Sequence, residues 1–204
     1  MINYFNVIRL IGGCKKRSIL NLPYTNLHGG RCVRPTLINV REIFFDLIKN
    51  DITNKTIFDL YAGSGSLGFE AISRGAKYVL FLETNKSFVK NLYLNKKKLK
   101  FCKSVRIIKT NSIKHINKVA SNSFDIIFID PPFCRGLAYP SINLLELNGW
   151  LNDKALIYLE VESKLDLFLL PNTWTLYKEL TLGNYHILLY RRFLNFTATQ
   201  QRKK

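Results

Sequence analysis

From about residue 56 onward, short β-branched and aromatic runs alternate with stretches of helical periodicity, and few folds accommodate that alternation. Strand-like runs occur at residues 56–60, 77–83, 105–109, 124–130 and 155–160, several ending in an acid or polar group followed by turn residues. Between them, Phe88, Leu92, Asn95 and Leu99 repeat at helical spacing with Lys90, Lys96 and Lys97 turned away, and Ile113, Ile116 and Val119 form a shorter apolar stripe. Repeated β-α units of this kind predict an α/β fold, a parallel sheet covered on both faces. The alternation breaks near the end, where the runs 174–180 and 185–191 are joined by Leu182-Gly183-Asn184. That pattern reads as a hairpin and predicts an antiparallel edge.

The N-terminal residues 1–35 read as a small β-hairpin appendage, with apolar runs at 7–11 and 19–22 around the basic turn Gly12-Gly13-Cys14-Lys15-Lys16-Arg17. Lys15, Lys16 and Arg17 are candidate phosphate contacts. Pro35 then precedes a helix whose apolar face holds Leu37, Val40, Phe44, Leu47 and Ile48. The expected organisation is an appendage at 1–35, one catalytic domain at 36–196 and a frayed basic tail at 197–204.

With 204 residues and 47% hydrophobic content, the chain can bury one core, and a disordered reading is excluded. The 31 Lys and Arg against 14 Asp and Glu give a net charge of +17, which attracts a polyanion, nucleic acid first. AT-biased coding also enriches Lys, together with the abundant Asn, Ile, Tyr and Phe. Cys14, Cys32, Cys102 and Cys134 form no C-x-x-C pair and lack histidines at ligand spacing, so neither metal nor disulfides are expected. No apolar run reaches the ~18 residues of a membrane span. A soluble, cytoplasmic, monomeric protein is the expectation.

Chemistry concentrates at two places. The first run ends Phe58-Asp59-Leu60-Tyr61 and continues Ala62-Gly63-Ser64-Gly65-Ser66-Leu67-Gly68, putting glycines where backbone approaches a ligand at a helix N-terminus. Glu83 closes the next run, where a carboxylate can accept hydrogen bonds from both hydroxyls of a ribose. A nucleotide-type cofactor belongs there, and these features alone also suit an NAD-dependent oxidoreductase.

The fourth run ends Asp130-Pro131-Pro132-Phe133, which hydride transfer does not require. An exocyclic amine is a poor nucleophile because its lone pair is delocalised into the ring. Asp130 and a backbone carbonyl of Pro131-Pro132 could accept the two amine hydrogens and redirect that pair toward a methyl donor, while Phe133 stacks on an extruded base. With an ordinary carboxyl pKa of about 3.9, Asp130 orients and stabilises charge rather than acting as a strong base.

At this point the chain resembles the bacterial methyltransferases that modify guanine at N2 in 16S ribosomal RNA, a family of the class I methyltransferase, Rossmann-like fold. The resemblance covers nearly the whole chain. It rests on Ile11-Gly12-Gly13 with its basic followers, Arg34-Pro35-Thr36, Arg41-Glu42, the glycine loop, the Asp-Pro-Pro-Phe tetrad, and Ile142-Asn143-Leu144-Leu145 through Asn148-Gly149-Trp150-Leu151. It implies a seven-stranded, mostly parallel sheet with an antiparallel last strand and S-adenosyl-L-methionine as cofactor. Asp59, Tyr61, Ala62, Gly63, Ser64, Gly65 and Gly68 would hold its methionine portion, Glu83 its ribose and Asn111 its adenine edge. Arg34 and Arg135 join Lys15, Lys16 and Arg17 as candidate RNA contacts, and the implied substrate is 16S rRNA in the small ribosomal subunit or an assembly intermediate. Asn85 stands where an acid often follows the ribose-binding glutamate. On residue chemistry alone, adenine N6 or a protein glutamine amide presents a similar planar amine to the tetrad, and a basic RNA-binding module without catalysis stays possible.

Overall fold

The computed structural model describes residues 8–23, 38–161, 169–182 and 185–194. Arg34, the Pro35 helix start with Leu37, Cys32, the turn residues Gly183 and Asn184, and the tail 197–204 lie outside them. In chain order the elements are β1 (Ile8–Arg9), a 3-10 turn (Gly13–Lys15), β2 (Ile19–Leu20), α1 (Ile38–Leu47), β3 (Thr56–Asp59), α2 (Ser66–Ser73) and β4 (Tyr78–Glu83). There follow α3 (Lys86–Lys98), β5 (Val105–Lys109), α4 (Ser112–Ile116), β6 (Phe124–Ile129), α5 (Ala138–Leu147), β7 (Leu151–Val161), β8 (Trp174–Leu182) and β9 (Tyr185–Arg192). Seven strands form one mostly parallel sheet in the order β5-β4-β3-β6-β7-β9-β8, and β1 and β2 pair separately. No helix among the described residues is long and apolar enough to cross a membrane.

By internal contacts the chain falls into two compact units, Met1–Ser112 and Ile113–Lys204. In the first, β4 pairs in parallel with β3 and with β5. Its Val79, Leu80, Phe81 and Leu82 are all buried, the continuous apolar run of a strand covered on both faces. Asn95, placed on the apolar stripe of α3, is fully buried for a polar reason: its Nδ2 donates to the Asn21 carbonyl at 2.9 Å and its Oδ1 accepts from the Asn21 amide at 2.7 Å. The side chain thereby fastens the end of the β1-β2 hairpin to α3.

In the second unit β6 and β7 are parallel, while β9 runs antiparallel to both β7 and β8, as the hairpin pattern requires. Two expectations need correction. The stripe Ile113, Ile116, Val119 does not continue as helix: α4 ends at Ile116 and Val119 is 84% exposed. The Ile116 carbonyl accepts from Asn148 Nδ2 and Trp150 Nε1, and the indole also reaches the Lys118 carbonyl, so side chains take the acceptors that another helical turn would use. The fifth run also starts early. β7 opens at Leu151, because Leu151 pairs with Phe124 before the register slips at the polar Asn152-Asp153-Lys154 and resumes at Leu156 opposite Ile126.

Candidate active site

In parallel strands all carboxyl ends point one way, and the loops after them carry the reactive groups of open α/β sheets. Asp59 ends β3, Glu83 ends β4, and Asn111 follows β5 by two positions. Glu83 lies opposite Lys109 in the β4-β5 register, and the Thr110 amide donates to the Glu83 carbonyl at 3.0 Å, so these ends converge.

Between β3 and α2 the loop folds back on itself. The Ala62 amide donates to the Leu82 carbonyl at 3.0 Å, and the Gly65 amide to the Ala62 carbonyl at 2.7 Å. Gly63 (φ +50°) and Gly65 (φ +79°) are left-handed, and Gly65 caps α2. A Cβ on Gly63 would meet only the Tyr61 carbonyl oxygen, at 3.9 Å, so its outer side is clear for a bound group. Gly68 has a different duty: a Cβ there would stand 2.2 Å from the Phe81 ring, so glycine lets α2 lie tight on β4. Ser64 and Ala62 are buried and Tyr61 half-buried.

The Glu83 carboxylate accepts from the Gly63 amide at 2.8 Å and from the Asn85 amide at 2.7 Å, which fixes its orientation. The Thr84 hydroxyl also donates to Oε1, at 3.4 Å; of the roughly four lone-pair sites of a carboxylate one is therefore left for a ligand hydroxyl, and a second when the Thr84 hydroxyl turns away. Asn85 caps α3, its Oδ1 accepting from the Ser87 and Phe88 amides. Asp59 is 3% exposed, and burial pushes its carboxyl up to about 7 against the pull of the Gly68 and Tyr61 amides that bond it; the nearby Glu83 charge adds to the rise. Asp59 therefore braces the loop through the Gly68 and Tyr61 amides.

In the second unit, Asp130 follows directly on β6 at its carboxyl end and is half-buried. Pro131 is buried, Pro132 exposed, and Phe133 is 37% exposed. Cys134 (φ 58°) and Gly136 (φ 60°) are left-handed and turn the chain toward α5, with Arg135 exposed between them. An ion pair of 2.7 Å between Arg192 Nη2 and Glu146 Oε1 ties α5 to β9.

The basic turn is built onto α2 through residues that sequence reasoning passed over. Glu70, fully buried, accepts from the Ile11 and Gly12 amides, both at 2.7 Å, and from Arg74 Nε at 2.7 Å. Ser73 Oγ accepts from the Lys15 amide at 2.9 Å and donates to the Gly12 carbonyl at 2.6 Å. Buried Arg41 donates from Nη2 to the Arg9 carbonyl at 2.5 Å. Gly13 (φ +73°) packs so tightly that a Cβ would lie 1.8 Å from the Ser73 carbonyl oxygen. Lys16 and Arg17 are left exposed and Lys15 half-buried. The only signal for Glu70 was an acid flanked by apolar residues in Phe69-Glu70-Ala71-Ile72. Among the described residues, no group of three His, Cys, Asp or Glu is arranged to hold a metal.

Comparison with known proteins places these features in a family. Residues 8–191 match the family described as conserved hypothetical protein 95. The Haemophilus influenzae protein named ribosomal RNA small subunit methyltransferase D is 40% identical over 191 residues, covering 92% of this chain and 94% of that one. The Escherichia coli protein of the same name is 37% identical over 185 residues, 91% of this chain and 90% of its own. The solved structure of the Escherichia coli protein yhhF superposes with a TM-score of 0.82 at 36% identity, covering 92% of this chain and 98% of that one.

Proposed function

Because the chain belongs to the family of the ribosomal RNA small subunit methyltransferase D proteins, we propose that it transfers a methyl group from S-adenosyl-L-methionine to the exocyclic N2 of a guanine in 16S rRNA. It acts in the cytoplasm as a monomer, on the small ribosomal subunit or an assembly intermediate. Residues 36–196 are the methyltransferase domain, residues 1–35 the RNA-contacting appendage and 197–204 a basic tail. The observation that carries the reading is the Asp-Pro-Pro-Phe tetrad at the carboxyl end of β6, in a chain whose glycine loop and Glu83 occupy the ends of β3 and β4.

The loop fits the cofactor, since Gly63 is open on its outer side and Glu83 keeps one free acceptor site and gains a second when the Thr84 hydroxyl turns away. Tyr61, Ala62, Gly63, Ser64 and Gly65, braced by Asp59 through the Gly68 and Tyr61 amides, hold the methionine portion, while Gly68 serves by letting α2 pack on β4; Glu83 holds the ribose, and Asn111 the adenine edge. When bound, the cofactor supplies a methyl group on a positively charged sulfur. Asp130 and a carbonyl of Pro131 or Pro132 accept the two N2 hydrogens, turning the nitrogen lone pair out of the ring. Phe133 stacks on the base, which leaves its helix at a cost of a few kcal/mol. Transfer of that methyl from sulfur to nitrogen would put positive charge on the amine, which the Asp130 carboxylate would stabilise. The amine proton then departs to water. Lys15, Lys16, Arg17, Arg34 and Arg135 hold phosphates and offset the cost of extruding the base.

The test incubates the purified protein with a labelled methyl donor and undermethylated small subunits, then digests the product. N2-methylguanosine is expected, and N6-methyladenosine or a methylated glutamine overturns the assignment. Asp130→Ala should lower turnover by about 10²–10³ with unchanged cofactor affinity, the scale set by removing one aimed electrostatic partner.

A further inference from the structure

Residues 84–112 carry nine Lys and Arg and not one Asp or Glu. Coding bias enriches Lys everywhere; it neither strips acids from one segment nor sorts cations onto one surface. Here they are sorted. On α3, Lys86, Lys90, Tyr93, Leu94 and Lys97 recur at helical spacing and are all exposed. Lys90, Tyr93, Leu94, Lys96, Lys97 and Cys102 line a surface depression of about 580 Å³. Beside it, β5 is an edge strand of the sheet, and its Arg106 and Lys109 are exposed as well.

Helix stability does not account for these charges. Cations in the last turn, such as Lys96, Lys97 and Lys98, suit the helix dipole, and Lys98 also donates from Nζ to the Ile19 carbonyl at 2.7 Å. Lys86, however, occupies the first helical position, where the dipole disfavours a cation, and no acid stands in that turn. Lys86 and Lys90 are like charges four apart, an unfavourable pair. A helix written against its own electrostatics at one end is matched to an anion outside it.

Tyr93 adds a second element. Its side chain is half-exposed, yet its hydroxyl donates to the Ile107 carbonyl on β5 at 3.1 Å, which fixes the ring in place. An anchored aromatic ring among lysines is the combination that binds single-stranded nucleic acid, by stacking on a base and neutralising the flanking phosphates.

We propose that the α3-β5 face is a second RNA-binding surface, on which Lys86, Lys90 and Lys97 follow an RNA backbone and Tyr93 stacks on an unpaired base. Its residues are distinct from those of the basic turn and of the tetrad, and Lys97 lies about 18 Å along the helix from the Asn85 cap. The inference rests on rRNA being the substrate. It deepens that reading by giving the enzyme a hold on its substrate in addition to the tetrad's contacts with the target guanine.

The test compares wild type with K90Q/K97Q and with Tyr93→Leu and Tyr93→Phe, on undermethylated small subunits and on protein-free 16S rRNA. Two lost phosphate contacts should reduce the slope of log affinity against log salt by about 1.4, or about fourteenfold in RNA affinity at 0.15 M salt, a difference that vanishes near 1 M. Tyr93→Leu should weaken RNA binding about tenfold, and Tyr93→Phe, which keeps the ring and loses only its anchor on Ile107, should weaken it less. Cofactor affinity should stay unchanged in all three, with melting temperature a few degrees lower in the Tyr93 variants for the lost Ile107 bond and no lower in K90Q/K97Q, which relieves the Lys86–Lys90 repulsion. If wild type binds and methylates but K90Q/K97Q keeps its slope, the surface is refuted and the function stands. If the variants lose affinity for whole subunits but not for protein-free RNA, the face meets a ribosomal protein and the inference falls. If wild type neither binds nor methylates either RNA, the function and the surface fall together.

Discussion

Replacing Asp59 by Asn gives a prediction with a sign that depends on pH. The Asp59 carboxyl is raised from 3.8 to about 7, first by burial and then by the Glu83 charge, with the Gly68 and Tyr61 amides opposing. Between those values the folded protein keeps a proton that the unfolded chain has released. The stability this group contributes is therefore fully present below 3.8 and lost as pH rises toward 7. At about 1.4 kcal/mol per pH unit, the loss amounts to roughly 4 kcal/mol over the whole interval and about 3 kcal/mol between pH 5 and pH 8. Asparagine does not titrate. Its amide keeps one acceptor and turns an NH2 toward the second backbone donor, a cost of about 1–3 kcal/mol that is the same at every pH. Asp59→Asn should accordingly be less stable than wild type at pH 5, and equal to it or more stable at pH 8. Urea unfolding followed by circular dichroism at the two pH values measures the difference. A gap between wild type and variant that is identical at pH 5 and pH 8 would refute the assignment of the raised carboxyl to this residue.

Three further perturbations bear on the loop and the basic turn. Glu70→Ala leaves the Ile11 and Gly12 amides and Arg74 without their acceptor and should cost about 3–5 kcal/mol in urea unfolding, the scale for breaking a buried charged cluster. Gly13→Ala forces a left-handed φ and a clash with the Ser73 carbonyl; hydrogen exchange at the Ile11 and Gly12 amides should quicken while calorimetric cofactor affinity holds. Gly68→Ala should destabilise by about 1–3 kcal/mol through overpacking against Phe81. Wild-type affinity for the positively charged cofactor should weaken as pH drops through about 7, where Asp59 takes up its proton, and a flat calorimetric profile from pH 6 to pH 8 would contradict Asp59's part in holding it.

The sheet was legible because buried parallel strands write themselves as unbroken apolar runs, as in Val79-Leu80-Phe81-Leu82, and because Asp59, Glu83 and Asp130 mark where such runs stop. The closing hairpin was legible for its turn residues. What the sequence concealed were features decided by distant partners. Asn95 has the spacing of a core residue, but its amide is buried to bond Asn21, 74 positions away. Val119 fits a helical stripe that Asn148 and Trp150 terminate from outside. The first residues of β7 are polar because they face a slipped register. Glu70 is flanked by apolar Phe69, Ala71 and Ile72, which hints at burial but not at what it binds, since its bonds run to residues 58 and 59 positions upstream.

Helix α2 is eight residues long, with the glycine turn at its first and the acceptor of the Gly12 amide at its fifth. Each residue of an α-helix advances about 1.5 Å and rotates about 100°. One residue inserted or removed between Gly65 and Glu70 would swing that carboxylate a quarter-circle or more off the hairpin it grips. The helix thus serves as a gauge block of fixed length and phase, and its sequence can drift in composition far more readily than in number.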